Sequence, residues 1–173
     1  MSISSRLVAV GVAVLAVAAL AFAEPPRPGA PPKAVTDASF VNNAAWGGQF
    51  AVVSSKMAVE KATKAECKAL AEKLIADHSK ANAALKAAAT KAGLFPPNGM
   101  SPQQEKLLAE LKGAKDFDAA YLDAQVKAHT EAVALYTVAA ASLKDAGLKE
   151  FAAKTLPTLK THLEHVKKHA GAP

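Results

Sequence analysis

Residues 116–143, DFDAAYLDAQVKAHTEAVALYTVAAASL, form the most regular stretch of the 173-residue chain. Leu122, Val126, His129, Val133, Tyr136, Ala140 and Leu143 recur there at alternating spacings of four and three, which places them on one stripe of a helix. Asp116, just ahead of the stripe, can accept hydrogen bonds from the first free amides. A seam kept over three heptads needs apolar partners, so this segment predicts one rod of a helical bundle.

The flanking segments repeat the period. A first helix is expected from Thr36 or Asp37 to about Ala62, with Trp46, Phe50, Val53 and Met57 as its large apolar stripe. Ala44, Gly47, Ala51, Ser54 and Ala58 form a small-residue face beside it. Thr63-x-x-Glu66 has the form of a capping box that restarts the chain as a second helix. That helix carries Leu70, Leu74, Ala81 and Leu85 and stops at Gly93. Ser101, Pro102 and Gln104 open a short helix that Gly113 ends. Gly147 is expected to break the chain before a last helix from about Leu148 to Ala170. Leu148, Ala152, Thr155, Leu159, His162 and Val166 make its stripe, and Pro157 in its interior predicts a kink. Strand signals are absent after residue 35. The expected fold is all-α: a four-helix bundle with a short extra helix in the central crossover. With alanine at so many seam positions, close packing and little room for a large ligand cavity are expected.

Composition narrows the classes. The chain is 51% hydrophobic and 21% charged with one cysteine, which excludes disorder and a disulfide or zinc-cysteine framework. The 21 lysines and arginines exceed the 15 acids by six, but only Arg6 and Arg27 are arginine. Acids sit four residues before lysines at Glu60/Lys64, Asp123/Lys127, Asp145/Lys149, Glu150/Lys154 and Glu164/Lys168, the spacing of exposed helix pairs. A solvated lysine-rich surface follows, with no nucleic-acid partner expected; association with the cell envelope stays open, and so does the oligomeric state. Cys67 reads as a buried thiol.

Residues 1–23 read as a secretory signal: Arg6, an apolar run from Leu7 to Leu20, then Ala21-Phe22-Ala23 as a small-x-small cleavage site. Periplasmic or extracellular location after cleavage is the expectation, with an uncleaved N-terminal anchor as the alternative. Residues 24–35, rich in proline, read as a spacer, and residues 36–170 as the bundle domain.

Chemistry concentrates in the histidines. His78, His129 and His162 fall on or beside the core stripes of three different helices, whereas His165 and His169 lie in the charged last turns. Three inward imidazoles suit a transition-metal ion. The residues three before the five histidines are Ile75, Val126, Leu159, His162 and Val166, so no Glu-x-x-His motif of a di-iron bundle is present. The structural alternative makes each imidazole a hydrogen-bonded core group that fixes helix register, with Asp118, Asp123 or Glu131 as partners and Asp77 pointing elsewhere. No GxSxG elbow, phosphate-binding glycine loop or paired cysteine is present.

Several segments together resemble one family. They are Phe40-Val41-Asn42-Asn43-Ala44-Ala45-Trp46-Gly47-Gly48, Ala58-Val59-Glu60-Lys61-Ala62, Asp77-His78 with Asn82 and Leu85, Phe117-Asp118-Ala119-Ala120-Tyr121 with Gln125-Val126 and His129, and Leu156-Pro157-Thr158-Leu159 with His162-Leu163. They are similar, in this order, to the bacterial domain-of-unknown-function 4142 family. The resemblance implies an exported, ferritin-like four-helix bundle with no established reaction, and matches His78, His129 and His162 to histidine positions of the family pattern. Where members often carry a glutamate after the Gly-Gly pair, this chain has Ala51 and Val53. The function expected is a non-enzymatic envelope or stress-related binding module; the alternative is a metal-binding or redox bundle using His78, His129 and His162.

Overall fold

The computed structural model describes residues 35–171; the signal and all but the last residue of the spacer, as read from the sequence, lie outside the described residues. Five helices follow: α1 (Asp37–Lys61), α2 (Ala65–Lys91), α3 (Pro102–Lys112), α4 (Phe117–Ser142) and α5 (Ala146–Ala170). Among the described residues no strand occurs and no helix is long and apolar enough to cross a membrane.

The four long helices stand at the corners of a square, in cyclic order α1, α2, α5, α4. Direction is read from contacts along each edge. Phe40 meets Tyr136 while Ser54 meets Gln125, so α1 and α4 run antiparallel. Phe151 meets Tyr136 while His162 meets His129, so α4 and α5 do too. The chain therefore makes two antiparallel hairpins joined by one long crossover that contains α3, the ferritin-like arrangement.

Local signals set most helix ends. Thr36 caps α1 in a box with Ser39, Ser101 caps α3 in a box with Gln104, and Asp116 and Asp145 accept from the third amide of α4 and α5. Gly93 and Gly171 take positive φ after α2 and α5. Two ends differ from expectation. The Thr63–Glu66 box does not form: Lys64 is the N-cap of α2 and makes no side-chain cap bond. Instead the Asp118 carboxylate, from the first turn of α4, accepts from the Thr63 and Lys64 amides and the Thr63 hydroxyl at 2.7–3.2 Å. A buried charged acceptor outcompetes the short local one. Gly147 likewise does not break the chain. It lies in the first turn of α5, and the break falls at Leu143 to Asp145, where Asp37 accepts from the Lys144 and Asp145 amides.

These two aspartates expose an internal repeat. Asp37 and Asp118, Thr63 and Lys144, and Lys64 and Asp145 are each 81 positions apart. Each hairpin thus opens with an aspartate that clamps the turn of the other.

The face of α1 that enters the core is the small-residue one. Ala44, Gly48, Ala51, Ser54 and Ala58 are buried along with Phe40 and Phe50, whereas Trp46, Val53 and Met57 are only half-buried. Of the large stripe expected to be central only Phe50 is buried; Trp46 lies toward the edge, where it lines a pocket with α3 residues such as Leu107. Of the α4 seam, Leu122, His129, Tyr136 and Leu143 are buried, while Val126, Val133 and Ala140 are half-buried. Cys67 is buried, and that burial, with Asp118 nearby, pushes its thiol pKa up. Of the five predicted surface pairs, Glu150–Lys154 closes to 2.6 Å.

Apolar packing forms two clusters rather than one continuous core. One gathers Phe40, Leu85, Tyr136, Leu148 and Phe151; the other gathers Ala58, Cys67, Leu74, Tyr121, Leu122 and Val166. Between them lies a buried polar layer of Ser54, His78, Gln125, His129 and His162.

Candidate metal centre

Three corners of the square contribute to that layer. α2 places His78, α4 places His129 and α5 places His162, with 7%, 2% and 1% of their surfaces exposed. Their rings pack pairwise at centroid distances of 5.3, 5.3 and 5.5 Å. One ligating atom from each lies within 4.8 Å of the other two, and the His78 and His129 Nε2 atoms are 3.2 Å apart. Two nitrogens each about 2.0–2.1 Å from one ion would be separated by about that distance, whereas the 4.8 Å span of the trio has to shorten to about 4 Å for all three to share an ion.

Hydrogen bonds fix which nitrogen is free. His129 Nδ1–H donates to the Gln125 carbonyl at 2.9 Å, leaving Nε2 as an acceptor that the His78 Nε2–H can reach. His162 Nε2–H donates to Asp77 Oδ2 at 2.9 Å, so its lone pair sits on Nδ1. That Nδ1 is buried and has no partner among the described residues, and the only other such side-chain atom is Gln125 Oε1. An unpaired buried polar atom costs about 1–3 kcal/mol, which makes this Nδ1 a place where an added partner, a metal ion included, would be favourable. Histidine held from behind by a carboxylate is the arrangement that orients an imidazole toward a metal.

Sequence reasoning located the three imidazoles but missed their support. Asp77 does point away from His78, as adjacency on a helix requires, but it points across to α5 and holds His162. Asp118, expected as an imidazole partner, is committed to Thr63 and Lys64 instead. Neither Asp123 nor Glu131 makes a hydrogen bond to a described histidine. Gln125 also went unread: its carbonyl holds His129, and its side-chain amide donates to Ser54 at 2.8 Å. The carbonyl four positions before His129 would be offered by any residue there, so no sequence signal marked it. His165 and His169 are exposed near the end of α5.

Burial keeps the centre neutral. Desolvation, then the neighbouring His129, lowers the His78 pKa to about 3. Desolvation lowers His129 to about 4 against the opposing Gln125 hydrogen bond, and it lowers His162 despite the help of Asp77. Asp77 is itself desolvated, yet hydrogen bonds from His162 and Lys73 hold its carboxyl below the usual range. Free histidine titrates near 6.5, so between about pH 6.5 and 4 the unfolded chain binds more protons than the folded one. Metal-free protein should therefore lose stability as pH falls through that window, by about 1.4 kcal/mol per pH unit for each histidine that stays neutral. Thermal melts at pH 7, 5.5 and 4 check this, and a flat profile would show that the imidazoles titrate normally.

Beside the imidazoles lies a cavity of about 260 Å³, with His78 and His129 on its wall together with Gly47, Gly48, Ala51 and Asn82. The sequence predicts little room for a large ligand cavity, and it does not single out this small one. At Gly48 the Asn82 carboxamide lies so close that any Cβ would collide with it, and the small side chains of α1 nearby do not fill the remaining room.

Fold and site together define an all-α bundle with a buried three-imidazole centre. The chain belongs to the family described as a domain of unknown function, DUF4142, whose sequence profile matches residues 23–168. Among curated proteins, none matches it by sequence. Solved structures give the fold a second support. CopM in its Cu(II)-bound form is 20% identical, with a TM-score of 0.69 over 80% of this chain and 98% of that one. CopM in its Cu(I)-bound form gives 21% and 0.68 over 78% and 94%. The DUF305 fragment from Deinococcus radiodurans gives 15% and 0.67 over 78% and 94%. Likeness at this identity speaks to the fold alone.

Proposed function

We propose that the protein is an exported binding module that holds one transition-metal ion, copper foremost, between His78, His129 and His162. The observation that carries this reading is the orphaned His162 Nδ1, buried and backed by Asp77 within a cluster of three imidazoles. His129 offers Nε2 and His162 offers Nδ1 in the tautomers the protein already fixes. His78 offers Nε2 once its proton there moves to Nδ1. All three are neutral near pH 7, so binding requires no charged imidazole to discharge.

An all-nitrogen donor set suits zinc, nickel, iron or copper, and among divalent ions it favours copper. That CopM, a fold neighbour, has been solved with Cu(II) and with Cu(I) supports the same choice. No Glu-x-x-His motif is present, which argues against a di-iron oxidase. Export is supported by the signal-like residues 1–23.

Mature protein purified without a histidine tag should take up one copper per chain, measured by elemental analysis after gel filtration. His129→Ala should lose it. Copper retained by His129→Ala, or no uptake by the wild type, would refute the reading.

A further inference from the structure

We propose that the same centre accepts a small exogenous Lewis base, delivered through the cavity beside His78 and His129, at a coordination position that no protein side chain fills. The inference rests on the metal-binding reading above and names the second ligand of that site.

The internal repeat explains why the position is open. At the spacing of 81 residues that relates the two clamping aspartates and the turns they hold, buried Phe40 corresponds to buried Tyr121 and buried Cys67 to buried Leu148. At the same spacing His129 corresponds to Gly48 and His162 to Ala81. The α4–α5 hairpin therefore brings an imidazole pair, while its counterpart, α1–α2, brings two residues with no donor atom in the side chain. Gly48 and Ala81 both line the cavity, together with Gly47 and Ala51. At the fourth corner α1 brings no imidazole: the Asn82 carboxamide lies against Gly48, the Ser54 hydroxyl is taken by Phe50 and Gln125, and the cavity opens beside Gly48 and Asn82.

The cavity wall has its own polar groups. Asn82 packs its carboxamide against Gly48 and makes no hydrogen bond to a described residue, and the Gln104 side chain also reaches the wall. These amides can hold the polar end of a small ligand whose donor atom faces the imidazoles. About 260 Å³ gives room for a body of a few heavy atoms but not for a peptide. Three protein donors with an exchangeable fourth position are the arrangement of metal sites that bind or act on small molecules, whereas structural sites close all four. The class of ligand is therefore a compact anionic or neutral base with one donor atom.

Azide is the probe. Protein loaded with one equivalent of copper(II), verified by elemental analysis, is titrated with azide while its near-ultraviolet absorption is followed. A saturable azide-to-copper charge-transfer band is expected. Ala51→Leu, whose added carbons enter the cavity, should keep its copper and bind azide at least about tenfold more weakly. Ala81→Leu enters from α2 and serves as the second variant should the first fail to fold. A loaded wild type without the band overturns the inference and leaves the metal-binding reading standing, as does an undiminished band in both folded variants. Failure to load copper at all overturns both.

Discussion

His162→Leu is expected to abolish metal binding and, in the metal-free protein, to raise stability by about 1–2 kcal/mol. Both effects follow from the same atom. The Nδ1 of His162 is buried without a partner among the described residues, so the folded state bears its desolvation with no hydrogen bond at that nitrogen in return. Leucine occupies a similar volume and brings no polar atom into a layer flanked by apolar clusters. Asp77 would not be stranded: its side chain is 25% exposed and keeps Lys73 at 3.0 Å. Urea unfolding of the metal-free variant gives the stability change, and elemental analysis gives the metal. If the hydrogen bond from His162 Nε2 to Asp77 outweighs the desolvation of Nδ1, the same substitution lowers stability, and a loss of about 1 kcal/mol or more would show it.

Asp118→Ala should be strongly destabilising, at a cost of about 2–4 kcal/mol. The residue is 3% exposed, and its carboxylate accepts from three donors across the α1–α2 turn, the Thr63 amide being shared between both oxygens. Burial opposes ionisation, but the bonds from Thr63 and Lys64 outweigh it and hold the pKa below the usual carboxylate range. The stabilisation is therefore present at neutral pH and is lost only as pH falls through that depressed value, below the window in which the histidines act. Asp37→Ala removes the matching clamp on the α4–α5 turn, but that clamp is more exposed and its amides can turn to water. Its cost should be smaller, about 1 kcal/mol. Equal losses for the two would mean that burial does not set the strength of the clamp. Chemical denaturation of the two variants under the same conditions decides between these outcomes.

The pattern of successes and misses has a physical cause. Features carried by neighbours in sequence were legible. The caps at Thr36, Ser101 and Asp116, the stop at Gly93 and the α4 seam depend on residues within a turn or two of one another. Features decided by another helix were not. Thr63-x-x-Glu66 has the right letters for a capping box, yet Asp118, 55 positions beyond Thr63, takes the amides first. Trp46, Phe50, Val53 and Met57 make the more apolar stripe of α1, but a bundle that needs close approach at Gly48 turns the small face inward and leaves Trp46 beside α3.

The site divides in the same way. His78, His129 and His162 stood out because each falls on an inward stripe of its own helix, which periodicity alone reveals. That their nitrogens meet depends on the relative height of three helices, which nothing in the separate stripes encodes. Asp77 was overlooked as a partner because its neighbour in sequence was taken as the reference, whereas its partner in space lies 85 positions away on α5. The cavity was missed because alanine and glycine predict close packing only where something packs against them.

The central claim is that three imidazoles from α2, α4 and α5 converge on one ion. A crystal of the tag-free protein soaked in copper, with diffraction recorded on both sides of the copper absorption edge, tests it directly. The account predicts one strong anomalous peak inside the bundle, between His78, His129 and His162. A peak confined to the exposed His165 and His169, with none among the buried rings, would contradict it.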